Sequence, residues 1–207
     1  VDGRIVRDPE FPTIAGLHRI QVDGRDLEAI PGAHRYLMLN KPRGVVTTAS
    51  DERGRETVYR CLDGADVGWV APVGRLDKAS EGLLLFCSDP RWAARITDPE
   101  TGPDKTYHVQ VDRIPDDAML QAMRTGVASE AGILRVASVS ILRTGTRNAW
   151  LEIVLDEGRN RQIRRLLAGL GIGVLRLVRV AIGQLRLGEL PKGQWRELTA
   201  EEIEGLS

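Results

Sequence analysis

The run Gly74-Arg75-Leu76-Asp77-Lys78-Ala79-Ser80-Glu81-Gly82 leads straight into Leu83-Leu84-Leu85-Phe86. Strand-like runs end before Gly74 and begin after Gly82, so the polar residues between them sit on a loop held by two buried strands. Such a loop is a firm mount for a reactive carboxylate at Asp77. The simpler alternative is a charged surface turn in which Asp77 caps backbone N–H groups. A second run, Lys105-Thr106-Tyr107-His108-Val109-Gln110-Val111, alternates so that Tyr107, Val109 and Val111 share one strand face and Thr106, His108 and Gln110 the other. Tyr107 then ends an apolar row with its hydroxyl near an edge. Read from pattern alone, it is a half-buried structural tyrosine or a ring offered to a ligand. His108 reads as an exposed strand residue.

The third run is Glu157-Gly158-Arg159-Asn160-Arg161-Gln162-Ile163-Arg164-Arg165-Leu166-Leu167. On a helix from about Arg161 to Leu170, Ile163, Leu166, Leu167 and Leu170 make one apolar stripe and Arg161, Arg164 and Arg165 a cationic one. Three arginines at that spacing repel one another unless an anion lies near, and no acid within the helix relieves them. From Gly158 to Gly188 there are seven arginines and no acid, although the net charge of the whole chain is zero. Neutrality is therefore segregated along the chain, which favours a polyanion site over a merely solvated basic face. No glycine-rich phosphate cradle, serine nucleophile elbow, HExxH or paired-carboxylate signature occurs. A loop aspartate, a strand tyrosine and an arginine helix remain, a set suited to a reaction on a polyanion that uses no cofactor.

In the order Gly74-Arg75-Leu76-Asp77 with Ser80 and Gly82, then Lys105-Thr106-Tyr107, then Glu157 to Arg165, these motifs resemble the RsuA/RluB-like branch of the pseudouridine synthases. Leu39-Asn40-Lys41-Pro42-Arg43-Gly44 is similar to the opening strand and turn of that branch's catalytic domain. The resemblance covers about residues 36 to 198. It implies isomerisation of a specific uridine to pseudouridine in structured RNA, ribosomal above all, with no metal and no cofactor. It makes Asp77 the catalytic carboxylate and pairs Arg164 with it. It lays Tyr107 against the uracil ring and sets Arg75 to hold the extruded nucleotide, with Lys105, Arg159, Arg161 and Arg165 as phosphate contacts. Residues 1 to 32 resemble part of an S4-like RNA-binding module or a linker, and 33 to 207 the catalytic domain. A non-catalytic RNA-binding or ribosome-assembly protein on the same scaffold is the competing reading, and intact Asp77, Tyr107 and Arg164 argue against it. A protein that offers the basic helix to an acidic partner is a further one.

The elements that must position these residues are legible in outline. Strand-like runs fall at Tyr36–Asn40, Val45–Thr48, Trp69–Val73, Leu83–Cys87, Thr106–Val111, Ile133–Ile141, Trp150–Asp156 and Val174–Ile182. Ser88-Asp89-Pro90 starts a helix over Arg91–Ile96, and Asp116 caps a second that Gly126 stops. Thr199 with Glu202 forms a capping box for a C-terminal helix. Asp2-Gly3 and Asp23-Gly24 read as hairpin turns, while Pro9, Pro12, Gly16 and Pro31-Gly32 punctuate the first segment. Strands adjoin in groups rather than alternating with helices, so the expected class is α+β, a mixed and largely antiparallel sheet with flanking helices and a small N-terminal β fragment. The resemblance adds a central cleft.

With 42% hydrophobic and 28% charged residues, the 207-residue chain is ordinary for a globular protein. Its longest apolar run, Leu83 to Cys87, is far short of the roughly twenty residues of a membrane span. Cys61 and Cys87 belong to no CxxC, and His18, His34 and His108 share no ligand spacing, so neither a structural zinc nor a disulfide is expected. Two reduced thiols, a cytoplasmic location and a monomer follow as expectations. Val1 in place of an initiator Met, with no basic and apolar leader, suggests a start downstream of the native one.

Overall fold

A computed structural model of the chain describes residues 1–8, 11–13, 18–26, 34–129 and 132–206. It divides into two compact units, Val1–Ala33 and His34–Ser207. In the first, β1 (Gln21–Val22) pairs antiparallel with β2 (Arg25–Asp26) across Asp23-Gly24. The φ values of 50° and 75° at those two residues are the left-handed pair that a two-residue hairpin demands, and Asp2-Gly3 repeats them at 48° and 77°. The turn signals at Pro9, Gly16 and Pro31-Gly32 lie outside the described residues.

The second unit runs β3 (Tyr36–Lys41), a 3-10 turn (Val58–Leu62), β4 (Ala71–Val73), β5 (Glu81–Cys87), α1 (Pro90–Thr97), β6 (Lys105–Val111) and α2 (Asp117–Thr125). It continues through β7 (Val127–Ser129), β8 (Gly132–Leu134), β9 (Ser138–Thr144), β10 (Ala149–Leu155) and α3 (Gln162–Gly169). β11 (Val174–Ile182), β12 (Leu185–Arg186), β13 (Trp195–Glu197) and α4 (Ala200–Glu204) complete it. The main sheet has the order β13-β3-β5-β11-β6-β10-β9, with β4 beside β5 and β12 beside β11. Its one parallel pair among the described strands is β5 with β11. The expected α+β class with a mixed, largely antiparallel sheet is what the chain adopts.

β5 shows why a continuous apolar run becomes a central strand. Leu83, Leu85 and Cys87 feed one core cluster with Met38, Trp92 and Ile182, whereas Leu84 and Phe86 feed another with Leu37, Leu39 and Val58 on the opposite face. With both faces covered, alternation disappears from the sequence. Each of these buried side chains contributes roughly 1.5–3 kcal/mol of apolar burial. A third cluster joins Val109, Leu151, Ile153 and Leu177 of the sheet to Ile163, Leu166 and Leu167 of α3, so the helix bearing the arginines is fastened over the face that carries Tyr107.

Helix starts follow their sequence signals. The Asp89 carboxylate accepts from the Arg91 and Trp92 N–H groups, Asp116 accepts from Met119, and Thr199 with Glu202 forms the reciprocal capping box. Three expectations fail. Val45–Thr48 is no strand; Val46 makes one isolated bridge to Thr57, and the segment is held by its neighbours' loops instead. The run Ile133–Ile141 is broken into β8 and β9, because the chain crosses from a small hairpin to the main sheet, with Val136 N–H reaching Met123 O and Ala137 N–H reaching Val154 O. Helix α3 begins one residue late, which matters for the site below.

At Gly82 the chain passes so close to β11 that a Cβ would collide with the Arg179 carbonyl and stand 2.8 Å from its nitrogen, at a φ of 101°. Gly82→Ala is therefore expected to destabilise the unit by about 4 kcal/mol or more, read as a lowered urea midpoint at unchanged slope. A loss under about 1 kcal/mol would mean that the β5–β11 contact is looser than this register.

Candidate active site

A cleft of about 930 Å³ opens along the sheet between the Gly74–Ser80 loop, the strands β6 and β11, and the start of α3. Among its walls are Arg75, Asp77, Lys105, Tyr107, Arg161 and Arg164, residues separated by up to 89 positions and brought together by the sheet order. Arg159 also borders it; Arg165 does not.

The Asp77 loop is tied down through its backbone. Leu76 is buried, so its neighbours Arg75 and Asp77 are left to the cleft. Thr47 Oγ1 donates to Leu76 O at 2.8 Å and accepts from Leu76 N–H at 3.3 Å. Beyond it, Gly44 N–H donates to Lys78 O, Ser80 N–H to Asp77 O, Arg164 Nη2 to Ala79 O at 3.1 Å, and Lys41 Nζ to both Asp77 O and Ser80 O at 3.2 and 2.9 Å. Every carbonyl from Leu76 to Ser80 thus has a partner. Two of those partners are cations.

The Asp77 carboxylate itself, about one-third exposed, accepts from Arg161 Nη1 at 3.2 Å. The expected Arg164–Asp77 pairing is not formed. Arg161 is not on the helix at all; it is the residue before α3, with a left-handed φ of 51° that costs roughly 1–3 kcal/mol for a side chain of its kind. That conformation detaches Arg161 from the Arg164–Arg165 face and turns it toward the loop. Arg164 lies deeper. Its Nε has no partner among the described residues, and burial, then the neighbouring Arg161, push its pKa down while Asp77 pulls it up.

Tyr107 is half-buried between two core clusters, and its register partner on β11 is Arg179. Lys105 lies two residues before it on the same face; burial and then the Arg179 charge lower its pKa. Arg75 is exposed and has no ion-pair or hydrogen-bond partner among the described residues. Arg159 is paired with Glu157 at 2.9 Å and donates to Ile133 O, whereas Arg165 donates to Ser129 Oγ and Asn160 O. Both are thereby committed to the β7–β8 hairpin and the loop before α3. Buried Gln162 completes that tie, donating to Arg135 O and Glu157 Oε1 and accepting from Arg159 N–H.

Sequence reasoning missed Thr47, Arg179 and the part played by Lys41. Arg179 is 6% exposed, gives its Nε–H to Leu83 O, and borders the cleft. A charged residue inside an apolar strand was the available signal. His108 faces Glu152 at 3.3 Å, away from this chemistry. No group of three or more His, Cys, Asp or Glu able to hold a metal exists among the described residues. Both cysteines are free, and no described helix is long and apolar enough to cross a membrane.

The fold that carries this cleft is shared with known proteins. Residues 35–169 match the RNA pseudouridylate synthase family, and a crystal structure of a pseudouridylate synthase superposes with a TM-score of 0.77 at 30% identity, over 100% of this chain and 87% of that one. The chain belongs to the RNA pseudouridylate synthase family and is an enzyme of that class. Among its relatives are ribosomal large subunit pseudouridine synthase E of Xanthomonas campestris pv. campestris, 42% identical over 77% of this chain and 93% of that protein, and synthase B of Haemophilus influenzae, 40% identical over 82% of this chain. The chain spans 48% of the length of the Haemophilus protein.

Proposed function

We propose that this chain converts a specific uridine of large-subunit ribosomal RNA to pseudouridine, with Asp77 as its catalytic carboxylate and without metal or cofactor. The observation that carries the reading is the Asp77 carboxylate, held in the cleft by Arg161 at 3.2 Å on a loop whose carbonyls are all tied. The relatives' names supply the RNA class. The reaction breaks the bond from C1′ to N1, turns the base, and forms a bond from C1′ to C5; the proton leaving C5 is balanced by one taken up at N1. A carboxylate serves this by attacking the sugar, attacking the ring or removing a sugar proton, and each role needs it ionised.

The target base must leave its helix to be reached, and the Tyr107 ring offers a face in place of the lost stacking. The detached base must also stay in place while it turns, which the apolar wall of Leu155, Ile163 and Leu177 favours. Arg75 and Lys105, which have no acidic partner in contact among the described residues, suit the phosphates on either side, and Arg164 adds charge behind the carboxylate. Arg159 and Arg161 extend the cationic rim, and Arg165, outside the cleft, is a further phosphate contact. Residues 1–32 are read as a partial S4-like RNA-binding module or a linker, and the enzyme as a cytoplasmic monomer.

The test is incubation of the chain with unmodified large-subunit ribosomal RNA transcripts, followed by carbodiimide modification and primer extension. A single new stop supports the reading; tight binding without any stop would leave a non-catalytic RNA-binding protein. Binding should weaken steeply with salt, by about 0.7–0.9 in log affinity against log salt for each phosphate neutralised. Arg75→Gln is expected to reduce that slope by about one such increment with thermal stability unchanged, because Arg75 is exposed and has no hydrogen bond or ion pair among the described residues to lose. An unaltered slope would take Arg75 off the RNA.

A further inference from the structure

Arg179, on β11, is buried at the floor of the cleft, and most of its guanidinium is unpartnered. Its Nε–H goes to Leu83 O at 2.8 Å, but Nη2 is buried with no acceptor among the described residues, and no carboxylate there forms an ion pair with it. The Lys105 ammonium nearby adds repulsion: burial first, and then the Arg179 charge, bring the Lys105 pKa down. A buried charge needs an opposite charge or a full set of hydrogen bonds, and an arginine does not shed its proton to escape that need. What the protein leaves open at the floor of the cleft is a place for an acceptor that carries or gains negative charge.

Strand register fixes what lies beside it. Leu177 is opposite Val109 and Arg179 opposite Tyr107, so alternation puts Arg179 and Tyr107 side by side on one face of the sheet. A base laid against the Tyr107 ring brings its edge to the guanidinium, whereas a phosphate belongs at the rim, where Arg75 is exposed. The edge of uracil presents two carbonyl acceptors, and a guanidinium is a donor only.

We propose that Arg179 receives the extruded uracil: its guanidinium donates to a ring carbonyl and stabilises the negative charge that falls on the ring during the reaction. This rests on the reading of the chain as acting on uridine through Asp77. The role is the same for every route open to that carboxylate. Attack on the sugar, or removal of a sugar proton, leaves the electron pair of the C1′–N1 bond on the ring, spread over N1, O2 and O4. Attack on C6 moves the C5–C6 pair toward O4. A fixed cation shielded from water acts most strongly on charge that appears only at that stage. Joining C1′ to C5 requires a half-turn of the ring about its N3–C6 line, which exchanges O2 with O4. A donor that meets one carbonyl before the turn therefore meets the other after it, and one guanidinium serves both substrate and product. Cytosine, with an amino group in place of O4, would set donor against donor in one of the two orientations.

The experiment uses Arg179→Met in the full chain, with large-subunit ribosomal RNA transcript as substrate. The single-turnover rate is expected to fall about 10²-fold with RNA affinity little changed, because the charge being stabilised is absent from the bound ground state. The decisive arm places 2-thiouridine or 4-thiouridine at the target position, since sulfur is a weaker acceptor than oxygen. At one of these positions the wild type should slow about fivefold or more beyond the slowing of Arg179→Met, the effects of sulfur on the ring itself being common to both proteins. A folded variant with wild-type rate, or equal responses to sulfur in the two proteins, overturns the proposal. So does a loss of rate and affinity together with a lower salt slope, which would make Arg179 a phosphate contact. If Arg179→Met does not fold, Arg179→Gln, which keeps an N–H for Leu83 O, takes its place. If neither folds, the wild type decides, and failure of both thio substitutions to slow it overturns the proposal. A wild type inert on the unsubstituted transcript overturns the functional reading and this proposal with it, whereas an active wild type that fails the sulfur comparison overturns the assignment of Arg179 alone.

Discussion

Asp77→Asn is expected to abolish pseudouridine formation, with single-turnover rates at least 10³-fold below wild type. The amide matches the carboxylate in shape but is neither a base nor a nucleophile at neutral pH. The fold should hardly register the change. The pair to Arg161 is half-exposed, and such pairs contribute about 0–1 kcal/mol, so the melting temperature should move by a few degrees at most. RNA affinity should be unchanged or slightly higher, since a negative charge has left a cleft that receives a polyanion. Rates within tenfold of wild type would remove Asp77 from the chemistry, and a large loss of affinity would recast it as a binding residue.

Much of the scaffold was legible because its signals are local. Asp89, Asp116 and Thr199 are caps that act within three residues, and the alternation of Tyr107, Val109 and Val111 needs only one strand. Leu83 to Cys87 was readable as a buried strand from composition alone. The motif that contains Asp77 was found, and so was the cluster of arginines that ends in the cleft. What sequence could not give is direction. Arg161 is one residue outside the helix that the apolar stripe defines, and a backbone φ of 51° has no signature in a stretch where Asn160 and Gly158 are the residues that usually adopt it. Arg161 therefore reaches Asp77, while Arg164, three residues on and on the helix proper, reaches the backbone of the same loop. Lys41 was hidden for a different reason. It closes the run Leu37-Met38-Leu39-Asn40, a strand buried on both faces, and pattern reading stops such a strand at the first charge rather than burying it.

Arg164→Lys should then be the most damaging of the charge-conserving changes in the arginine cluster. Arg164 Nη2 reaches Ala79 O at 3.1 Å from a partly buried stem, and a lysine ends about where the guanidinium carbon stood, too short for that carbonyl and too poorly solvated to hold its proton as readily. Ala79 O would lose its partner, leaving the turn that carries Asp77 free to shift. Reactions that depend on a positioned group lose about 10²-fold for a displacement near 1 Å, so a drop of that order is expected in the chemical step, close to 2.7 kcal/mol, with RNA affinity nearly unchanged. Arg161→Lys is the sharper comparison. Its one contact to Asp77 Oδ2 is longer than an ideal charge-assisted bond, and its side chain is half-exposed, so an ammonium can take its place at a loss under tenfold. Arg165→Lys, outside the cleft, should cost less still. Single-turnover rates of the three variants, measured beside their melting curves, give the order. A larger loss at Arg161 than at Arg164 would show that this cleft depends on a guanidinium at the carboxylate itself and not on one behind its loop.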